Sequence, residues 1–225
     1  ATPDQVAVKG TRGEGLGPEG RGECVTAMAQ ASTAPVIIGL SEWVHPCQLV
    51  ADLLTVRQEH GRVDGFKYAW IGDGNNMAHS WLHAAGVLGL DLTLACPEGY
   101  KPDPSVVEWA ERRVGVLGRG SIEVVSDPAA AIAGADVIST DVWASMGQEE
   151  EAAARRRAFV GYCIDDQLLA RAADGAIVLH CLPAHRGEEI TAEVLEGQQS
   201  RVFRQAGNRL HAHKAILEWC LNVSS

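Results

Sequence analysis

FKYAWIG (66–72), DGNNMAHSWLHAAGVLGL (73–90) and DLTLACP (91–97) follow one another without a gap. The first and third are short and apolar, carry residues that suit a pleated surface, and are closed by Gly72 and Pro97. The middle stretch is too long for a strand and repeats its apolar residues at helical spacing. Strand, helix and strand in roughly 30 residues make a βαβ unit, with parallel strands and a helix laid over one face.

The alternation continues on both sides. Downstream, PSVVEWAERRVGVL (104–117) reads as a helix opened by Pro104 and Ser105, SIEVVSD (121–127) as a strand and PAAAIAGA (128–135) as a short helix. DVISTDVW (136–143) is a strand, DDQLLARAAD (165–174) a helix, AIVLHCLP (176–183) a strand and TAEVLEG (191–197) a short helix. SRVFRQ (200–205) reads as a last strand, and NRLHAHKAILEWCLN (208–222) as an amphipathic closing helix. Upstream, APVIIGL (34–40) is a buried strand or extended entry. HPCQLVADLLTVRQEHG (45–61) is a helix with Pro46 in its first turn, an apolar face of Leu49, Val50, Leu53 and Leu54, and Gly61 at its end. The expected fold is α/β, a doubly wound, Rossmann-like parallel sheet with helices on both faces. No fixed-period repeat interrupts it.

Residues 1–33 differ. KGTRGEGLGPEGRGE (9–23) holds six glycines and many charges with almost no apolar periodicity, so an irregular lead-in is expected before a domain at 34–225. The chain has 225 residues, is 46% apolar and 21% charged, and carries a formal charge of −10. That charge argues against a general nucleic-acid binder. No run approaches the ~20 apolar residues that span a bilayer, and ATPDQVAVKG at the start is unlike a secretory signal. The six cysteines are scattered and none forms CxxC, so reduced thiols and a cytoplasmic location are expected.

Open α/β sheets bind ligands off the carboxyl ends of their strands. Three polar segments fall there. Gly72-Asp73-Gly74-Asn75-Asn76 follows FKYAWIG. It lacks the third glycine of a dinucleotide fingerprint, so a nucleotide enzyme ranks last. Two adjacent asparagines exceed what one helix cap needs and suit a polar ligand. Asp141 follows DVIST and suits an ammonium group. Cys181, between His180 and Leu182, is a nucleophile, a thiol beside a reacting amine, or a residue that merely packs. His45 and Gln48 lie three apart and offer donors to a carbonyl oxygen, and Arg209 opens the closing helix, where it reaches an anion or forms a surface ion pair. The spacings of His45, Cys47, His180, Cys181, His211 and His213 match no closed zinc site, so no metal is expected.

Together HPCQLVADLLTV (45–56), GDGNNMAHS (72–80), DVWASMGQE (141–149), HCLPAHRGEEIT (180–191) and NRLHAHKAIL (208–217) resemble the ornithine carbamoyltransferase family. The motifs occur in the family's order and at nearly its spacing. The resemblance implies transfer of a carbamoyl group from carbamoyl phosphate to the δ-amine of L-ornithine, giving citrulline and phosphate, with no cofactor. It implies that His45, Gln48 and Arg209 hold the carbamoyl group, that Asn76 binds the ornithine carboxylate, that Asp141, Ser145 and Met146 hold its α-amino end, and that Cys181 and Leu182 line the point of attack. The family's Ser-x-Arg-Thr-Arg phosphate loop and His-x-x-Arg are not found ahead of His45, and Gly207 stands where the family usually has Glu. The expectation is an ornithine-binding domain whose activity alone is low. The alternative is a non-catalytic amino-acid-binding module. The closing-helix residues Leu210, Ala215, Ile216, Trp219 and Cys220 are expected to form an apolar face for self-association or a partner chain.

Overall fold

The structure is a computed structural model that describes residues 24–25, 39–144 and 151–222. The lead-in outside Cys24 and Val25, residues 34–38 of the expected entry strand, and the candidate site residues Ser145 and Met146 lie outside the described residues. Two short strands, β1 (Cys24–Val25) and β2 (Leu40–Ser41), pair antiparallel. Helix α1 (Pro46–His60) follows, then β3 (Lys67–Ile71), α2 (Asn76–Leu88), β4 (Asp91–Ala95), α3 (Pro104–Leu117) and β5 (Ser121–Val125). The chain continues through α4 (Pro128–Ile132), β6 (Val137–Thr140), α5 (Ala152–Ala158), α6 (Asp166–Leu169), β7 (Ile177–His180), α7 (Ala192–Leu195) and α8 (Val202–Asn222).

Strands β3 to β7 form one parallel sheet in the order β5-β4-β3-β6-β7. From β3 the chain steps outward through β4 to β5, then returns to the other side of β3 and steps out through β6 to β7. The winding therefore reverses between β3 and β6, and open sheets of this kind place their ligand crevice where the loops after two such strands diverge.

Alternation along the strands explains why both faces are covered. Tyr68 and Trp70 of β3, Val137 of β6, and Ile177 and Leu179 of β7 enter one core with Leu49, Val56, Met77, Trp81 and Leu82 from α1 and α2. Ala69, Ile71, Ile138 and Val178 enter the opposite core with Ile132, Phe159, Leu169 and Leu195. Such strands read as continuous apolar runs because each residue meets a helix layer. Helix ends follow their local chemistry. Asp103 accepts from Ser105 N at the start of α3, and Gly61, Gly89 and Gly118 end three helices in the left-handed conformation.

Two expectations change. SRVFRQ is not a strand. Ser200 makes one isolated bridge to Val178, and the helix begins at Val202. Arg209 therefore lies two turns inside α8 rather than at its opening. On α1 the buried stripe is Cys47, Gln48, Leu49, Asp52, Thr55 and Val56, while Val50 is exposed. The polar members are buried because α8 lies along that stripe. There Gln205 Nε2 donates to Asp52 Oδ1 (2.6 Å), and Asn208 Nδ2 donates to Thr55 Oγ1 (2.9 Å) and Gln58 Oε1 (2.8 Å). Arg201 and Arg204 both pair with Glu59. The closing helix is thus fixed to α1 by a series of polar contacts. Of its expected apolar face, Leu210, Ala215 and Trp219 are exposed and Ile216 half-buried, but Cys220 is buried. No described helix is long and apolar enough to cross a membrane.

Candidate functional site

The crevice is built from the ends of β3, β6 and β7. At β3 the chain must turn at once into α2, and Gly72 (φ +145°) and Gly74 permit it. A Cβ on Gly74 would lie 2.2 Å from Pro102 N, so only glycine fits. Asn75 then caps α2: its Oδ1 accepts from Met77 N (2.9 Å) and Ala78 N (3.2 Å). Its Nδ2 donates to Asp141 Oδ2 at 2.8 Å. One side chain thus starts a helix and grips a carboxylate across the switch point. Asn76 behaves differently, donating from Nδ2 to Ser41 O (2.7 Å), which ties α2 to β2.

Asp141, directly after β6, is the centre of the site. Its Oδ1 accepts from Val142 N (2.8 Å) and from Cys181 Sγ (3.0 Å). Only neutral donors reach this buried carboxylate among the described residues, which suits it to an incoming ammonium group. Burial, reinforced by the negative charges of Asp141 and Asp52, pushes the Cys181 thiol well above its ordinary range. Cys181 is therefore an S–H donor to Asp141 in this geometry.

The β7 end is locked around His180. Leu182 N donates to His180 Nδ1 (2.9 Å), so the neutral ring carries its hydrogen on Nε2 and donates it to Glu189 Oε1 (3.0 Å). That contact holds Leu182 in the left-handed region (φ 57°) just before a cis Pro183. Asp141, His180 and Cys181 bring ligand-type atoms within 4.8 Å of one another. Both His180 nitrogens are already occupied, however, so this trio offers no ready metal cage.

His45 precedes α1, with its backbone N–H on Ser80 Oγ (2.7 Å) and its Nδ1 2.9 Å from Gly39 O. Burial, helped by the Arg209 charge, lowers its pKa to about 4. The ring is neutral, Nδ1–H donates to the carbonyl, and Nε2 is left as an acceptor. A donor role at Nε2 requires the other tautomer and loss of the Gly39 bond. Gln48 is buried, and its Nε2 donates to Asp52 Oδ1 (2.8 Å) while its Oε1 has no partner among the described residues. The charge of half-buried Arg209 also acts on Asp52 and His213, which places all these groups around one cationic centre.

Several residues of this constellation escaped the sequence reading. Asn75 was visible as one of the paired asparagines, but its grip on Asp141 was not. Arg155 donates from Nη1 to Asp73 Oδ2 (2.6 Å) and to Trp143 O (2.9 Å), pinning α5 to the β3 and β6 loops. Burial outweighs this guanidinium and leaves Asp73 above the usual carboxylate range. Asp52 and Gln205 showed no motif, because their signal is only that a polar residue falls on a buried helix stripe.

An open parallel sheet with a polar crevice at its winding reversal defines an α/β small-molecule-binding domain. Residues 64–220 match the family model described as aspartate/ornithine carbamoyltransferase, Asp/Orn binding domain, and the chain belongs to that family. It is 55% identical over 195 residues to the ornithine carbamoyltransferase of Geobacter metallireducens, covering 87% of this chain and 63% of the relative. It is 57% identical over 200 residues to that of Acidothermus cellulolyticus, covering 89% and 64%. Among solved structures, ornithine carbamoyltransferase from Pyrococcus furiosus superposes with a TM-score of 0.78 at 50% identity, covering 82% of this chain and 59% of that one. The anabolic enzyme from Campylobacter jejuni gives 0.79 at 40% identity, covering 85% and 63%. The chain thus spans somewhat under two thirds of the length of these relatives.

Proposed function

We propose that residues 34–225 form the amine-acceptor side of an ornithine carbamoyltransferase, with residues 1–33 as a lead-in outside that domain. In the reaction the neutral δ-amine of L-ornithine forms a bond to the carbamoyl carbon of carbamoyl phosphate. The bond from that carbon to the phosphate oxygen breaks, the amine's proton passes to the departing phosphate, and citrulline and phosphate leave. Asp141 takes the α-ammonium group, a role the family resemblance extends to Ser145 and Met146, and Asn76 takes the carboxylate. Cys181 and Leu182 border the δ-amine. The Arg209 guanidinium faces the oxygen on which charge develops, where a fixed cation is most effective. His45 and Gln48 complete the carbamoyl contacts, and their Nε2 and Oε1 acceptors, unpaired among the described residues, suit its N–H groups. The domain works in the cytoplasm without a cofactor, and the exposed Leu210 and Trp219 offer α8 to a second copy or partner chain.

The observation that carries this reading is the buried Asp141 carboxylate, held at the switch point by Asn75 and Cys181 and met by no cation among the described residues. Calorimetry with L-ornithine tests it. Binding by the wild-type chain, lost on Asp141→Ala, is expected, and absence of binding by the wild-type chain refutes it. Citrulline formation by this chain alone is expected to be low, since its sequence carries no Ser-x-Arg-Thr-Arg loop ahead of His45. Ornithine binding without turnover in a completed assembly would favour an amino-acid-binding module.

A further inference from the structure

The seam between α1 and α8 contains a buried carboxyl for which the proposed reaction has no direct use. Asp52 is fully buried, and its Oδ1 accepts two amide hydrogens, from Gln48 Nε2 (2.8 Å) and Gln205 Nε2 (2.6 Å). Gln205 is oriented from its other end, since its Oε1 accepts from His180 N at 2.9 Å. Gln48 has no such second constraint, and its Oε1 is a buried acceptor without a donor among the described residues. An amide has two distinguishable ends, and fixing the nitrogen on a carboxyl fixes where the oxygen goes. A buried acceptor with no donor is costly unless something arrives to satisfy it.

We infer that Asp52 is a positioning residue: by holding Gln48 Nε2 it presents Gln48 Oε1 as the acceptor for an N–H of the carbamoyl group. The same oxygen, through Gln205 and His180 N, keeps that amide in register with the Cys181 end of β7. Helices α1 and α8 thus meet on one carboxyl oxygen, and Gln205 carries the link on to β7. Asp52 touches no reacting atom. This inference rests on the proposed placement of the carbamoyl group beside α1.

L-citrulline and L-ornithine separate the inference from that reading, because they share the amino-acid half and only citrulline carries the carbamoyl N–H groups. Affinities are measured calorimetrically on the full chain. Asp52→Leu is expected to weaken citrulline about five- to tenfold, the worth of one hydrogen bond, and to leave ornithine within twofold. In a Gln48→Met background the same Asp52→Leu change is expected to cost nothing further, as required of a residue that acts through Gln48. Asp52→Asn keeps an acceptor oxygen and is expected to retain citrulline binding.

Equal losses for both ligands, or an unchanged penalty in the Gln48→Met background, overturn the inference while leaving the proposed function standing. Failure of both ligands on the wild-type chain overturns the proposed function instead. A ligand-free measurement covers that case and any failure of the Leu variant to fold. The Gln48 and Gln205 side-chain amide resonances are expected to shift together in Asp52→Asn, and a Gln48 resonance indifferent to residue 52 overturns the inference.

Discussion

Cys181 Sγ lies 3.0 Å from Asp141 Oδ1, a contact that joins the ends of β6 and β7 across 40 residues of chain. The carboxylate keeps the thiol protonated, and the thiol satisfies part of the carboxylate. Cys181 is therefore expected to resist iodoacetamide at pH 8 in the folded chain and to react on denaturation. Asp141→Asn removes the negative charge while keeping one acceptor oxygen, so Cys181 should alkylate faster in that variant. Peptide mass spectrometry after timed quenching reads both rates, and rapid labelling of Cys181 in the wild-type chain would contradict the geometry.

Asn75 serves two masters, so its loss should have two signatures. Asn75→Ala removes the α2 cap and is expected to cost about 1 to 2 kcal/mol in urea unfolding. It also frees Asp141 Oδ2, so ornithine binding should weaken. Asn75→Asp restores the cap but sets two carboxylates together. It should recover much of the stability and not the binding.

Asp52 makes stability depend on pH in an unusual direction. Burial raises its pKa from 3.8 to about 7, with Arg209 opposing and Asp141 adding to the shift. Between these values the unfolded chain releases the proton and the folded chain keeps it. The contribution is whole below about pH 4 and is lost as the pH rises through about 7, by up to roughly 4 kcal/mol. Asp52→Asn should match the wild-type chain near pH 4 and be the more stable of the two near pH 7.5. Equal unfolding midpoints at both pH values would show that Asp52 titrates normally.

The Asp73–Arg155 pair is nearly closed to water, with side chains 12% and 8% exposed. Arg155→Met strands a buried carboxylate and is expected to cost about 3 to 5 kcal/mol, whereas adding Asp73→Leu should recover much of the loss. A double-mutant cycle by urea unfolding measures the coupling.

Gly207 sits inside α8, and a Cβ there meets nothing within 4 Å. Gly207→Ala should stabilise the chain by about 0.5 to 1 kcal/mol through helix propensity and the unfolded chain's lost freedom. Thermal unfolding reads it directly, and a lowered midpoint would place an unseen constraint at that turn.

These relationships were unequally legible in the sequence. The parallel sheet with helices on both faces could be read because β3, β4, β6 and β7 are apolar on both faces and are separated by segments of helical length, whereas the order of the strands depends on pairings that no local pattern announces. Asp141 and Cys181 could be singled out because each directly follows such a run. The turn from Ser200 into α8 misled, since Val202 and Phe203 look like a strand when read locally, and only packing of α8 along α1 makes them helical. Asn75 and Asn76 are the same residue type side by side, and which one meets Asp141 depends on the turn at Gly72 and Gly74. Asp52 and Gln205 lie 153 positions apart. Nothing local to either announces a partner that only the folded seam brings near.

That seam between α1 and α8 has a mechanical consequence. Greasy helix contacts tolerate sliding, because one methyl serves nearly as well as the next. Here amides and carboxyls are matched atom to atom, from Asp52 with Gln205 to Thr55 with Asn208 and Glu59 with Arg201. Shifting α8 by a turn would leave each of them facing the wrong neighbour, so the helix bearing Arg209 behaves as a keyed part that seats in one place.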